Sequence, residues 1–582
     1  MLSRHYGWHG CLLHVDLNRQ SIRTCAIEPQ LLHSYLGGRG LGVRLLRDAH
    51  HREPCSADMP LIFAVGPLGG TAAPTSARMS VVSRSPLTGT VFDSSCGGSF
   101  AWHLKAAGFD ALLVTGCSPQ PVLLDIKEGT ASLVPASRLW GQTVSVTHQA
   151  LAGAGSCAAI GPAGERQVRY ANIITSEGNA AGRGGLGAVM GAKGLKAIRV
   201  DGRRQTRVAQ QSRLAQGVRD VMRLLKASPF VFGDLGISRF GTPALVDVLA
   251  QRRLLPAENF RKTLSAPAIR INAAALHQRY QPHKRGCHGC PVACKQFTEA
   301  GDKLPEFGSL GHFAALGDNP DLDGIVAAAR RCNDLGLDTQ SAAASLACWS
   351  EIKGDFPRVE QLPELLEMIA YRRGVGELLA QGAQRLADEL HQPQAAMTVK
   401  GLELPPLDPR GGCGLALSYV TSNRGACHLR AFALSHEVLR KPVATDPLTF
   451  AGKARINTGA ENTCAAVDSL VACRFALVAA GLEEYAALLT AVTGLDYTAG
   501  DLQAIGERIF LTERFYNQNN GFDHRDDVLP PRFFTSGMAA AEGADMAPVD
   551  GEAFADELRR YYRFRGLDEQ GRLPATYLDG QP

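Results

Sequence analysis

The chain carries almost no excess charge of either sign. Its 61 Lys and Arg face 56 Asp and Glu over 582 residues, a net charge of +5, with no long basic block. Nucleic acid is bound through clustered cations that displace counterions, so this balance argues against it as a partner. Long hydrophobic runs are missing as well. A spanning helix needs about 18–20 apolar residues, and the most apolar stretch, 470–489, is broken by Arg474, Glu483 and Glu484. No membrane insertion is expected. The opening M-L-S-R-H-Y-G-W-H-G-C lacks the apolar core and small-residue cleavage site of an export signal, which leaves a cytoplasmic protein as the expectation. There is no internal repeat or low-complexity tract, and the acidic, alanine-rich stretch 539–556 reads as a surface loop or short helix.

Cysteine is not scarce. Fifteen thiols in a long chain without an export signal read as reduced residues, not as a disulfide scaffold. Three of them, Cys287, Cys290 and Cys294, stand together in R-G-C-H-G-C-P-V-A-C-K. A Cys-x2-Cys-x3-Cys run supplies three corners of an iron–sulfur cube and leaves the fourth to a remote cysteine. Cys473, in V-D-S-L-V-A-C-R, is the favoured fourth. Structural zinc is the alternative, with His283 or His288 nearby, although zinc sites more often use two Cys-x2-Cys pairs. Enzymes that cleave S-adenosylmethionine carry the reverse order of spacings. Enzymes resembling formate dehydrogenase carry this order near the chain start, with the fourth cysteine close behind. Here the run lies mid-chain and lacks that near partner.

The first ~200 residues hold short strand-like runs at 12–17, 21–27, 61–65, 79–83, 111–115, 122–126 and 197–200, separated by Gly- and Pro-rich turns. After 205 the spacing of Val208, Leu214, Val218, Val221 and Leu225 becomes helical. The predicted class is α+β: an amino-terminal, mainly β domain over 1–205, then two mostly α-helical domains over 206–400 and 401–582.

Gly182-Arg183-Gly184-Gly185-Leu186-Gly187 satisfies G-x-G-x-x-G, but the preceding strand ends too early and Gly191 and Gly194 weaken the following helix. A dinucleotide site is therefore not the expectation. Residues 37–42 and Cys96-Gly97-Gly98 are also glycine-rich, and Arg39, Arg78 and Arg183 lie within or between the three segments. Such loops suit a large phosphorylated cofactor, or they are tight β turns. Asp334, Asp338 and Asp408 sit in turns, where carboxylates cap helices or accept from ligand amines. His428, in N-R-G-A-C-H, reads as a proton donor or oxo ligand, or else as a satisfied core histidine.

Together these segments resemble the aldehyde:ferredoxin oxidoreductase family. The likeness includes 37–42, G-P-L at 66–68, S-P-L-T-G at 85–89, I-G-P-A-G-E at 160–165, 181–190, the cysteine run, 334–338, 404–411, 423–428, 468–473 and R-D-D-V-L-P at 525–530. It implies tungsten, or molybdenum, held between two pyranopterins with Mg2+ at their phosphates, beside one [4Fe-4S] cluster. It also implies a β base for the pterins under two helical domains, an aldehyde oxidised to a carboxylic acid, and ferredoxin or a ferredoxin-like subunit as electron acceptor. By the same resemblance Cys287, Cys290, Cys294 and Cys473 hold the cluster, and Arg78 lies between it and the pterins. Ser95, Gly97, Gly98, Arg183, Gly184, Gly185 and Asp408 belong to pterin-binding segments. Asp334 and Asp338 contact one pterin and Asp468 the other, while His428 stands near the metal, which takes no side-chain ligand.

Three departures stand out. Where aldehyde oxidisers of the family carry P-E-Y-E-S or P-E-F-E-T, this chain has Pro305-Glu306-Phe307-Gly308-Ser309, so the second carboxylate, the expected base, is missing and Glu306 is left in its stead. Ser95-Cys96-Gly97-Gly98 replaces N-S-G-G, and Ala327 stands where some relatives place a glutamate of an intersubunit metal site. The missing carboxylate keeps two other readings open: a reductase resembling the catalytic subunit of tungsten-dependent benzoyl-CoA reductases, and an electron-transfer or scaffold subunit without turnover.

Overall fold

A computed structural model describes residues 6–176, 178–263, 268–316, 318, 321–538 and 545–581. Six strands, β1 (Cys11–Asp16), β2 (Ser21–Ala26), β3 (Leu61–Ala64), β4 (Met79–Arg84), β5 (Val91–Cys96) and β6 (Ala111–Thr115), make one sheet in the order β2-β1-β6-β3-β4-β5. Only the β1–β6 pair is parallel. β1 and β2 form an antiparallel hairpin across Asn18-Arg19-Gln20, and Leu13, Val15 and Leu17 are buried. A second sheet follows, from β7 (Val122–Lys127), β8 (Thr130–Pro135), β9 (Ser156–Ala159), β10 (Ile173–Thr175), β11 (Ala180–Ala181) and β12 (Leu195–Asp201), in the order β11-β10-β9-β12-β7-β8.

Beyond Asp201 the described chain is mostly helical, interrupted by three two-stranded ladders. One ladder pairs His283–Arg285 with Lys295–Phe297, and its connection is the cysteine run. No helix among the described residues is long and apolar enough to cross a membrane. The helix Gly551–Phe564, capped by Asp550, covers the end of the alanine-rich stretch, and residues 539–544 lie outside the described residues.

Two large hydrophobic cores result. The first joins the sheets to Ala465, Leu470, Leu488 and Ile509; the second joins Leu87 and Phe92 to the middle helices and to Tyr419, Phe554 and Tyr561. Residues 401–582 therefore pack into both cores, and the loops between the cores carry the site. One glycine-rich segment differs from expectation. Residues 37–42 are no loop but the start of the helix Gly38–Leu45, where the bare glycines let it touch the backbone of 468–469 and the side chain of Val82. Gly38 has φ +40, and a Cβ there would overlap the Asp468 carbonyl.

Candidate active site

The cysteine run is bent by Gly289 at φ +63 and Ala293 at φ +47, with the Cys290 amide donating to the Cys287 carbonyl at 2.9 Å. The loop lies against the end of β5: the His288 amide donates to the Gly98 carbonyl at 3.2 Å, and a side chain at Gly97 would collide with Cys287 Sγ. Gly97 thus makes room for the cysteine loop, and the Gly98 carbonyl anchors it. Cys473 comes from a distant part of the chain. After the helix Lys453–Ser469 the chain turns at Val471, a β-branched residue at φ +58, and the Cys473 amide donates to the Thr75 carbonyl at 3.0 Å. Positive φ is costly for such a residue and persists only where its surroundings hold it.

Cys473 couples electrostatically to Cys290 and Cys294, so the remote cysteine and the run lie in the same neighbourhood. Burial, and then the neighbouring thiols, push Cys290 up to about 11 and raise Cys294 too; burial also raises Cys473. Among the described residues no three His, Cys, Asp or Glu side chains converge on the position of a single ion. The two histidines considered for zinc face aromatic rings, His288 stacking on Trp102 at 4.4 Å and His283 on Phe297 at 6.2 Å.

Arg78 lies beside Cys287: its Nη1 would stand 3.5 Å from a Cβ at Gly97, with which Cys287 Sγ would collide. Its Nε donates to Ser95 Oγ at 2.9 Å and its Nη2 to the Ser95 carbonyl at 3.1 Å, and its charge is supported by Cys473, Cys287 and Asp468 despite burial. Lys295 is the second cation here. It lies 3.3 Å from Glu306 and, although burial opposes its charge, Glu306 and the Cys287 and Cys294 thiols raise it.

Glu306 also pairs with Lys303 at 3.0 Å. Lys303 and Lys295 hold its carboxyl far below the usual carboxylate range. The Glu306 side chain is 45% exposed, so solvent screens this lowering; its two ion pairs make it a counter-ion to Lys295 and Lys303 and a poorer proton acceptor.

Deeper inside lies a network of buried charges. Arg39, fully buried, donates to both Glu513 oxygens at 2.7 Å and reaches Asp468 at 3.5 Å and Asp93 at 3.7 Å. Arg430 pairs with Asp93 and, at 3.2 Å, with Asp468, which also receives Nε of Arg474 at 3.0 Å. Arg424 donates to the Asp93 carbonyl at 2.6 Å and to Cys427 Sγ at 3.0 Å. Four guanidiniums thus meet three carboxylates. The excess is felt locally: burial works to raise the Cys427 thiol, but Arg424 and Arg430 prevail and lower it to about 7. Arg39 is wholly committed to these carboxylates, so it is not a phosphate ligand as the glycine-rich pattern suggested. Asp468 is likewise saturated by three guanidiniums.

Around the next loop, Arg183 donates to the Glu403 carbonyl at 2.6 Å and the Ala426 carbonyl at 3.3 Å, and stands 3.8 Å from Asp338. Asp338 caps the helix Thr339–Lys353 through the Ser341 amide at 2.9 Å. Gly184 and Gly185 serve the chain itself: side chains there would strike the Phe92 ring and the Arg169 carbonyl. Asp334 is turned away, accepting from Ser145 Oγ at 2.5 Å and pairing with Arg331 at 3.3 Å. Asp408 is locked onto Arg410 at 2.6 Å. The structure brings Asp338 to Arg183 and leaves these two aspartates in separate packing contacts.

His428 lies beside Arg183, Arg424 and Arg474, and its Nδ1 has no partner. Burial first, then those guanidiniums, lower it to about 3. It is therefore a neutral imidazole near pH 7, suited to donate a hydrogen bond. Its neighbour His312 was not expected from sequence, nor were Lys295, Asp93 and Glu513. Isolated polar residues in apolar runs carry no spacing signal, and only contacts between distant segments reveal them.

The fit to the implied cofactors rests on unpaired atoms and donor chemistry. Asp93 Oδ2, Arg183 Nε, Arg424 Nε, Asn423 Oδ1, His312 Nε2 and His428 Nδ1 are buried without partners. Each such atom costs about 1–3 kcal/mol unless a ligand satisfies it. Pterin amides and phosphates offer both donors and acceptors, and four thiols flanked by Arg78 and Lys295 suit an anionic iron–sulfur cluster.

The sequence matches the description "Aldehyde ferredoxin oxidoreductase, N-terminal domain" over residues 12–202 and "Aldehyde ferredoxin oxidoreductase, domains 2 & 3" over 216–579. It is 37% identical to the tungsten-containing aldehyde ferredoxin oxidoreductase of Pyrococcus furiosus, covering 99% of this chain and 98% of that protein. The protein of the same description from Thermococcus kodakarensis is 36% identical over 98% of each chain. Among solved structures, the BamBC active-site complex of benzoyl coenzyme A reductase shares the fold, with a TM-score of 0.84 at 24% identity over 99% of this chain and 97% of that one. The chain belongs to the aldehyde ferredoxin oxidoreductase family.

Proposed function

We propose that the protein oxidises an aldehyde to a carboxylic acid, using a tungsten bis-pyranopterin centre and a [4Fe-4S] cluster, and passes the electrons to ferredoxin or a ferredoxin-like subunit. Overall, aldehyde and water give acid, two protons and two electrons. When bound, the cofactors supply two-electron oxygen chemistry at the metal and one-electron carriage at the cluster. The observation that carries this reading is the nearness of Cys473 to the Cys287–Cys294 loop and Arg78, in a chain matched over nearly its whole length by tungsten enzymes.

The chain's own residues have definite tasks in this reading. Cys287, Cys290, Cys294 and Cys473 hold the cluster; Arg78, fixed by Ser95, donates between cluster and pterin. Arg183, Asp338 and the neighbouring unpaired polar atoms orient the pterins, with Mg2+ at their phosphates. His428 donates to the substrate oxygen. The cysteine loop is partly exposed, so electrons leave at the surface. A cytoplasmic setting is part of this reading, since a chain without disulfides and with an oxygen-sensitive cluster suits a reducing compartment.

Anaerobic purification, metal analysis and viologen-coupled aldehyde oxidation test it. Tungsten or molybdenum with about four irons per chain and aldehyde-dependent viologen reduction are expected. Zinc without tungsten or molybdenum sinks the reading, and a loaded protein that only consumes reduced viologen with acids or thioesters is a reductase.

A further inference from the structure

The helix Phe307–Leu316 packs on the helix Thr339–Lys353, and the two are tied near their starts by Ser309 Oγ and Thr339 Oγ1, 2.7 Å apart. Gly308 and Gln340, each one residue from that tie, meet beside it. A Cβ at 308 would stand 2.6 Å from Nε2 of Gln340, 3.1 Å from its Cδ and 3.7 Å from its Cγ, so the carboxamide lies over the bare glycine. A side chain at 308 would displace it.

The Oε1 of this amide is covered and has no hydrogen-bond partner among the described residues. A covered amide oxygen without a donor costs about 1–3 kcal/mol, so its place is explained by a group that donates to it. Filling the space over Gly308 would need no polar atom; methionine would do it. The neighbours of Gln340 are engaged elsewhere, Thr339 with Ser309, and Ser341 with Asp338 through its amide at 2.9 Å and with Glu403 through its hydroxyl at 2.8 Å. Gln340 is the polar side chain of this turn left over. Two residues before it, Asp338 stands 3.8 Å from Arg183, the pair assigned above to the pterins. A carboxamide accepts and donates hydrogen bonds but does not ionise near pH 7, so it offers a ligand orientation and no proton removal.

We propose that Gln340 takes the place of the carboxylate that Gly308 lacks: its Oε1 accepts a hydrogen bond from the water, or from the aldehyde hydrate, that provides the second oxygen of the acid. This rests on the aldehyde reading above, in which a side chain at 308 faces the reacting carbon. The water oxygen bonds to the carbonyl carbon, the aldehyde C–H bond breaks with its electron pair going to the acceptor named above, and two protons reach solvent. Gln340 keeps its own protons throughout and orients the O–H.

The test uses the loaded holoenzyme, with tungsten and iron measured for each preparation. Gln340→Ala removes the acceptor, Gln340→Glu keeps it and adds an ionisable group, and Gly308→Glu with Gln340→Ala returns a carboxylate to 308 in the cleared space. Two readouts are taken: kcat and KM against pH, and the dissociation constant of trifluoroacetaldehyde hydrate, a stable diol, by fluorine NMR titration of the dithionite-reduced enzyme, which cannot oxidise it. With metal content unchanged, Q340A should lower kcat/KM by about 10–100-fold and weaken diol binding about 10-fold, the worth of a hydrogen bond to a covered acceptor. Q340E should keep turnover at neutral pH and add a limb, absent from the wild type, in which kcat falls with acid; G308E/Q340A should recover turnover with the same limb. Unchanged kinetics and diol binding in Q340A, or a Q340E profile without the new limb, overturn the proposal. Loss of metal in both single variants overturns it too, since Gln340 is then structural. If the wild type oxidises no aldehyde but binds the diol, and Q340A does not, the contact stands and the aldehyde reading falls; if the wild type does neither, both fall.

Discussion

At the scale of residues, the site is built from charges held away from their solution behaviour. His428 is lowered to about 3 from an ordinary 6.5, so between those values the folded chain binds fewer protons than the unfolded one. Its contribution to stability is therefore complete above pH 6.5 and is lost as pH falls toward 3. His312 is depressed in the same sense. Urea midpoints of the metal-free protein should decline from pH 7 to 4, and His428→Gln should flatten part of that slope; an unchanged slope contradicts the neutral assignment. Glu306, clamped by Lys295 and Lys303, makes a different prediction. A true base contributes about 10²–10⁴ in rate, so Glu306→Gln should cost less than about 10-fold in kcat. A thousandfold loss in viologen-coupled assays restores the base role.

At the scale of elements, the glycine-rich segments separate into different devices. The motif at 37–42 is a helix whose missing side chains admit the turn after Lys453–Ser469, and Arg39 on that helix ties Glu513, Asp468 and Asp93 together. Removing one partner from a buried ion network leaves the others uncompensated, at about 3–5 kcal/mol. Arg39→Met should therefore lower the urea-derived stability by that amount, and a loss under 1 kcal/mol argues against the network as a clamp. The loop at Cys96-Gly97-Gly98 instead receives the cysteine run, and 182–185 offers Arg183 while its glycines pack on Phe92 and Arg169. Sequence could class all three as glycine-rich, but what occupies the missing Cβ space is supplied by segments far away in the chain.

At the scale of the whole molecule, the cysteine run reaches the surface, with Cys287, Cys290 and Cys294 partly exposed. Beside the thiols, His283, Lys284 and Arg285 form an exposed basic strand. An acidic iron–sulfur acceptor docking there would be steered by charge. Lys284→Glu with Arg285→Glu should raise KM for such an acceptor about 10-fold at low salt and leave viologen-coupled turnover alone; equal effects on both acceptors refute docking at this strand.

The sequence by itself determined the α+β class and the family, because strand and helix periodicity and ordered motifs are local or collinear signals; the Cys-x2-Cys-x3-Cys spacing pointed to a cluster with a remote fourth cysteine. It also marked Gly308 as a departure. Only the tertiary structure showed that Glu306 pairs with two lysines, that Arg39 and Asp468 share one buried network, and that Asp334 accepts from Ser145. The reason is physical: a side chain's protonation and partners follow from what surrounds it, and those surroundings are assembled from residues hundreds of positions apart.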